Sequence, residues 1–277
     1  KERDRTPAYM QLAIWDRFPE FRPTQPEVLD EVRRYLADRV AGIDLLDRAA
    51  GFYQESLAGL TDPLARAEMG VRIAGLKLLD RKGEEAARSL ADTEPPTDKT
   101  TILPEPLRDE RRVLKARAIF EQGQPDEALR LLTSDYGEAA MRLRADITWR
   151  TKRWAEAAAV LEALIGPPPA AGQPLSDEQA SMILNRATAL ALAGDRRALG
   201  SLRVDYGEAM ASTAQAATFQ LITRPDVAGG LPDRKTLSGR MAEVDLFGKV
   251  LERYRQSATD SRPAEVAAAP ATAPAQP

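Results

Sequence analysis

The string Asp135-Tyr136-Gly137-Glu138-Ala139 returns 70 residues later as Asp205-Tyr206-Gly207-Glu208-Ala209. Internal repetition constrains a fold more than any single motif, because each unit must bury its apolar face against the next copy. The likeness extends upstream. Gly123, Ala128-Leu129 and Leu132 precede the first string; Gly194, Ala198-Leu199 and Leu202 precede the second, with one residue fewer. Seventy residues is about two units of a helix–turn–helix repeat of roughly 34. The match predicts a duplicated array of helical hairpins in which the two strings occupy matching environments.

Hydrophobic spacing elsewhere is helical. Thr24 stands three residues before Glu27 with Pro26 between, a capping-box start, and Val28, Leu29, Val32, Tyr35 and Leu36 follow at helical intervals. A second run carries Leu45, Leu46, Ala49, Phe52, Tyr53 and Leu57 to Gly59. Asp62-Pro63 sets an N-cap before a proline at the first helical position, and a helix through Ala67, Ala74 and Leu79 follows, with a short partner through Ala86 and Leu90. Four prolines interrupt residues 92–106. Helices are then expected from Leu107 to Phe120, from Glu127 to Leu132, over about 138–151 and over about 154–165. A Ser176–Gln179 capping box opens a long helix ending near Gly194, and Val244, Phe247, Val250, Leu251 and Tyr254 mark a last amphipathic helix. No run alternates as a strand. The domain reading is an N-terminal extension over 1–25, a helical array over 26–256 closed by a capping helix, and an Ala/Pro-rich tail over 257–277, expected to be disordered.

Composition narrows the chemistry. Histidine and cysteine are both absent, which rules out Ser-His-Asp triads, Cys-His dyads, histidine or thiolate metal sites and disulfides. None of the eight lysines has a serine three residues before it, so a Ser-x-x-Lys nucleophile is excluded. Gly229-Gly230 ahead of Lys235-Thr236 lacks the glycine a phosphate loop needs at Arg234. Carboxylates suit a two-acid glycosidase by type, but Trp15, Trp149 and Trp154 are too scattered for a sugar platform, and Glu84-Glu85 and Asp177-Glu178 sit where acids favour a helix dipole. A net charge of −3 leaves no basic footprint for nucleic acid: Arg142, Arg144, Arg150, Lys152 and Arg153 are interleaved with Asp146 and Glu156. The expectation is a chain that is not an enzyme and uses no cofactor or metal. The first residue is Lys1 and no apolar run is long enough to cross a bilayer. The chain is therefore read as soluble, cytoplasmic or periplasmic, a processed product or fragment with any signal or anchor upstream.

Within this pattern, small residues recur where two helices of a hairpin cross. Ala145 with Trp154, Ala157, Leu161, Leu164 and closing Pro169 forms one set; Ala116, Gly123, Ala128 and Leu132 form another. Ala74, Ala86 and Leu90, and then Ala187, Gly194 and Leu199, fit more loosely. Residues from about 60, or from 42 on a looser match, to 204 thus resemble the tetratricopeptide repeat, and the whole is similar to the C-terminal part of longer bacterial tetratricopeptide proteins. The leading aromatic of each first helix is missing and the units are unevenly spaced. The resemblance implies an all-α fold, a right-handed α-solenoid of roughly four degenerate hairpins.

By that resemblance, the inner face of each first helix lines a concave groove. The corresponding residues are Glu110, Val113, Arg117 and Phe120 from one unit and Arg142, Asp146 and Trp149 from the next. Mixed charge around apolar side chains suits a peptide or helix from another protein. The expected function is a protein-binding scaffold or adaptor; the alternative is an accessory helical domain of a cell-envelope enzyme or assembly. Alanine at Arg117, Arg142 and Trp149 together is expected to remove binding with little change in melting temperature.

Overall fold

The computed structural model describes residues 6–96, 102–170, 172–224 and 247–260. Among these residues there are thirteen α-helices, one 3-10 turn and no strand. The helices are α1 (Ala8–Arg17), α2 (Pro26–Ala41), α3 (Leu46–Gly59), α4 (Pro63–Leu79), α5 (Gly83–Asp92), α6 (Glu105–Glu121) and α7 (Pro125–Leu131). They continue with α8 (Glu138–Arg150), α9 (Trp154–Ile165), α10 (Asp177–Ala193), α11 (Arg196–Ala211), α12 (Ala216–Thr223) and α13 (Gly248–Asp260). Local chemistry sets several of the starts. The Asp62 carboxylate accepts from the Ala65 amide one residue ahead of Pro63, and Ser176 and Gln179 form a reciprocal capping box. Thr24 plays no such part: α2 begins at Pro26 behind Gln25, with no side-chain cap, because proline's fixed φ already suits the first turn.

Helices adjacent in sequence pack on one another, in the pairs α2–α3, α4–α5, α6–α7, α8–α9 and α10–α11. Each pair turns in the same way. One left-handed residue stands at the turn, Asp44, Arg81, Gly123, Lys152 and Gly194 in order. Its amide donates to the carbonyl three residues back, and the next amide donates to the carbonyl five before itself. This is the Schellman arrangement, which satisfies carbonyls a helix end leaves open. Seven residues before the left-handed residue stands an alanine in all five pairs, Ala37, Ala74, Ala116, Ala145 and Ala187, each with no exposed surface. Five residues after it stand Ala49, Ala86, Ala128, Ala157 and Leu199, also buried. Small side chains at these two positions let the paired axes approach closely.

The first helices of neighbouring pairs also touch, α4 on α6 and α6 on α8. Arg111 of α6 joins α4 and α5: it donates to the carbonyls of Ala67 (3.0 Å) and Leu90 (2.7 Å) and to Glu94 (2.9 Å). The apolar interior falls into three clusters. One joins α1 to α4 through Trp15, Phe52 and Ile73; the second joins α4 to α8; the third joins α8 to α12 around Leu161, Ile183 and Phe219.

Three sequence-based expectations change. Residues 1–25 are more than an extension, since Trp15 of α1 is buried edge-on against Phe52, with ring centroids 5.7 Å apart. The two Asp-Tyr-Gly-Glu-Ala strings lie in unrelated environments, which overturns the duplication read from them and removes the support it gave to a stacked array. Asp135 and Gly137 form a turn before α8, Asp135 Oδ1 accepting from the Gly137 amide, with Tyr136 77% exposed. The second string lies inside α11, where Tyr206 is 3% exposed and donates to the Gly166 carbonyl at 2.7 Å. Thr133 and Ser134 explain the break, because short hydroxyl side chains compete for backbone partners; Arg203 and Val204 in the second copy do not interrupt the helix. What recurs is the hairpin turn at Gly123 and Gly194. Lastly, α13 does not cap the last pair but packs on α2 and α4. It runs to Asp260, so residues 257–260 belong to a helix. The remainder of the tail, Val244 and the stretch from Gly229 to Thr236 lie outside the described residues.

Candidate functional site

The surface beneath α13 is where most of the candidate residues gather. Phe247, just before α13, has no exposed surface and enters the cluster of Val113, Leu114 and Leu143; Leu251, one helical turn on, is buried beside it. Burying each such side chain contributes about 2 kcal/mol. Tyr254 lies against α4, where Gly75 makes room: a Cβ on Gly75 would stand 2.4 Å from the Tyr254 ring. A helix-interior glycine costs about 1 kcal/mol relative to alanine, and here it is what lets the aromatic ring rest on the backbone.

Polar contacts ring this apolar line. The Glu110 carboxylate accepts from the Tyr254 hydroxyl and from Arg253 at 2.7 Å. Burial, then the charge of Glu110, pushes the Tyr254 hydroxyl far above its usual range, so it stays a donor. Arg255 pairs with Asp44 at 3.0 Å, at the turn between α2 and α3. At the other end Lys249 reaches Glu178 of α10 at 3.4 Å, and Arg142 of α8 pairs with the same carboxylate at 2.7 Å. The Arg142 hydrogen bond holds Glu178 below the usual carboxylate range, against a smaller opposing contribution from burial. Three acids from α6, α10 and the first hairpin turn thus face three cations of α13.

Below them, Arg117 is buried. Its guanidinium bonds to Asp146 at 2.6 Å and to Glu121 at 2.9 Å, and lies over the rings of Phe120 and Phe247 at 5.7 and 5.5 Å. Asp146 has no exposed surface and also accepts from Arg150 at 3.1 Å. Between the end of α4 and α13 lies a cleft of about 300 Å³, lined by Arg81, Arg117, Arg150, Lys249 and Arg255, with Glu252 the acid among the lining residues.

Of the candidate residues, Glu110 and Arg117 thus meet α13 or Phe247 just before it, Phe120 packs on Arg117, Val113 lies in the apolar cluster beneath, and Asp146 and Arg142 stand one contact away. Trp149 does not join them: it is 4% exposed in the third apolar cluster, edge-on to Trp154 at 5.5 Å, with its indole N–H unpartnered. The triple alanine change at Arg117, Arg142 and Trp149 therefore tests the core as well as the surface. Trp149→Ala alone is expected to cost about 3–5 kcal/mol, so the melting temperature falls with any binding. Sequence reasoning missed Asp44, Gly75 and Glu178. Gly75 had a readable signal, a glycine inside a strong helical pattern, which often marks close approach.

No family model, curated protein or solved structure matches the chain. Among the described residues no group of three or more acids could hold a metal ion, and no helix is long and apolar enough to cross a membrane. The site contains hydrogen-bonding, ionic and apolar surface, part of it engaged with α13.

Proposed function

We propose that this chain is a non-catalytic protein-binding scaffold, a right-handed α-solenoid of tetratricopeptide-like hairpins that holds a partner's peptide or helix on the inner face of its first helices. One observation carries the reading: five successive hairpins share one turn geometry and one pair of buried residues twelve positions apart, small in all but one instance. Such units stack because none buries its apolar face alone, and stacking leaves an extended inner surface. The seating of α13 across α2, α4 and α6 supports this, since that surface accommodates a helix.

The test places charge reversals on that surface. Glu110→Lys with Arg142→Glu in the full chain is expected to lower retention of the specific partner at least tenfold. Lys115→Glu, on the exposed side of α6, should leave it unchanged. Partners are identified by cross-linking from the inner face. Retention insensitive to the inner pair, or equally sensitive to Lys115→Glu, would rule out the inner face as the binding surface.

A further inference from the structure

The scaffold reading leaves open what chemistry the inner face selects, and α13 answers it. We infer that α13 is a resident ligand of this surface, held in cis, and that the partner supplies an amphipathic helix of the same chemistry that displaces it. The recognised features are those α13 presents. An aromatic residue at Phe247, an aliphatic one at Leu251 and a tyrosine at Tyr254 form one stripe, spaced by four and then three residues, which lies on one helical face. The flank is basic: Lys249, Arg253 and Arg255 meet Glu178, Glu110 and Asp44. Gly75 is the specificity element, because only a residue without a Cβ admits the tyrosine ring at that height on α4.

Two features make the occupant exchangeable. The ion pairs are partly exposed, with Lys249 at 70% and Asp44 at 69% side-chain exposure, so each adds little and is screened by salt. A helix of 13 residues is marginal in water by itself, so its helicity depends on the surface it occupies. Being part of the same chain gives α13 an effective concentration on the order of millimolar. An outside helix of equal intrinsic affinity must overcome that advantage.

This inference rests on the scaffold reading, yet its test needs no cellular partner. A fluorescent synthetic peptide of residues 247–260 is titrated with the full chain and followed by anisotropy. Full chains carrying Phe247→Ala/Tyr254→Ala, or separately Arg253→Glu/Arg255→Glu, release the resident helix by two different means. Both are expected to capture the peptide at least tenfold more tightly than the unaltered chain. Adding Glu110→Lys to either should reverse the gain at least tenfold. Equal affinity in released and unaltered chains, no capture by any of them, or indifference to Glu110→Lys would each overturn the proposal. So would an unaltered chain that sediments as a dimer and becomes monomeric on Phe247→Ala/Tyr254→Ala, which would assign the surface to a second copy. Peptide capture without any partner retained from cells would sink the scaffold reading and the partner half of this one, leaving α13 as an exchangeable occupant of its own surface. Partner retention that is the same whether or not α13 is released would do the reverse.

Discussion

At Arg117 one guanidinium meets two carboxylates, Glu121 and Asp146, and the faces of two phenylalanine rings. Arginine suits such a place because its planar fork bonds in several directions while its face stacks on aromatics. The neighbouring Glu121 shows the cost. One of its oxygens is buried without a partner, and burial raises its pKa despite the nearby charges of Arg117, Arg81 and Arg150. A carboxyl whose folded pKa lies above its unfolded value binds protons more readily in the folded state. Its presence therefore favours folding at low pH, and that contribution declines as pH rises from 4.5 through the raised value. The stability difference between the unaltered chain and Glu121→Gln is accordingly expected to fall across that window and to be flat above it. Urea unfolding at half-unit steps from pH 4 to 7 measures it; a difference that grows with pH would show that the arginines outweigh burial.

The five hairpin turns show how different residues serve one geometry at the level of the element. Glycine adopts the left-handed conformation without strain at Gly123 and Gly194, whereas Asp44, Arg81 and Lys152 adopt it with a side chain in place, held by the same two hydrogen bonds. A glycine motif therefore reveals only two of the five turns in the sequence. The alanine spaced seven before each turn is the more general mark, and Ala37 with Ala49 adds a first hairpin that the loose match from residue 60 onward had left out. Between α4 and α13 the packing makes a prediction of opposite signs. In the unaltered chain Gly75→Ala pushes a methyl into the Tyr254 ring and is expected to destabilise, detaching α13. In a Tyr254→Ala background the collision is gone, and the same substitution should stabilise α4 by up to about 1 kcal/mol. Thermal melts of the four chains give the cycle; additive effects would mean that the ring does not rest on Gly75.

For the whole molecule, α13 joins distant parts of the chain: it touches α2, α4, α6 and α10 through contacts that are ionic at the rim and apolar along one stripe. The hairpins, in contrast, are held by buried alanines and leucines in three clusters. Local opening should therefore separate the two. Amide hydrogen exchange is expected to be faster in α13 than in α4, α6 or α10, and to accelerate at least threefold in α13 between about 0.05 and 0.5 M salt, as screening weakens the rim pairs. Equal protection of α13 and α10, unaffected by salt, would mean that the helix is an integral part of the core. The all-helical character, most helix boundaries from α4 to α10 and the crossing alanines were legible in the chain itself, because spacing, caps and small residues are local signals. The pentapeptide repeat misled, since five identical residues do not carry the two preceding ones that decide between turn and helix. No helix is predicted from the sequence over α1 or α12. What tertiary structure alone decided is the site. What lies on Gly75 depends on where a helix more than a hundred residues away comes to rest, while Trp149 is core because α9 and α10 cover it and Arg117 faces carboxylates because α8 brings Asp146 to it. Sequence spacing has no term for that distance; packing does.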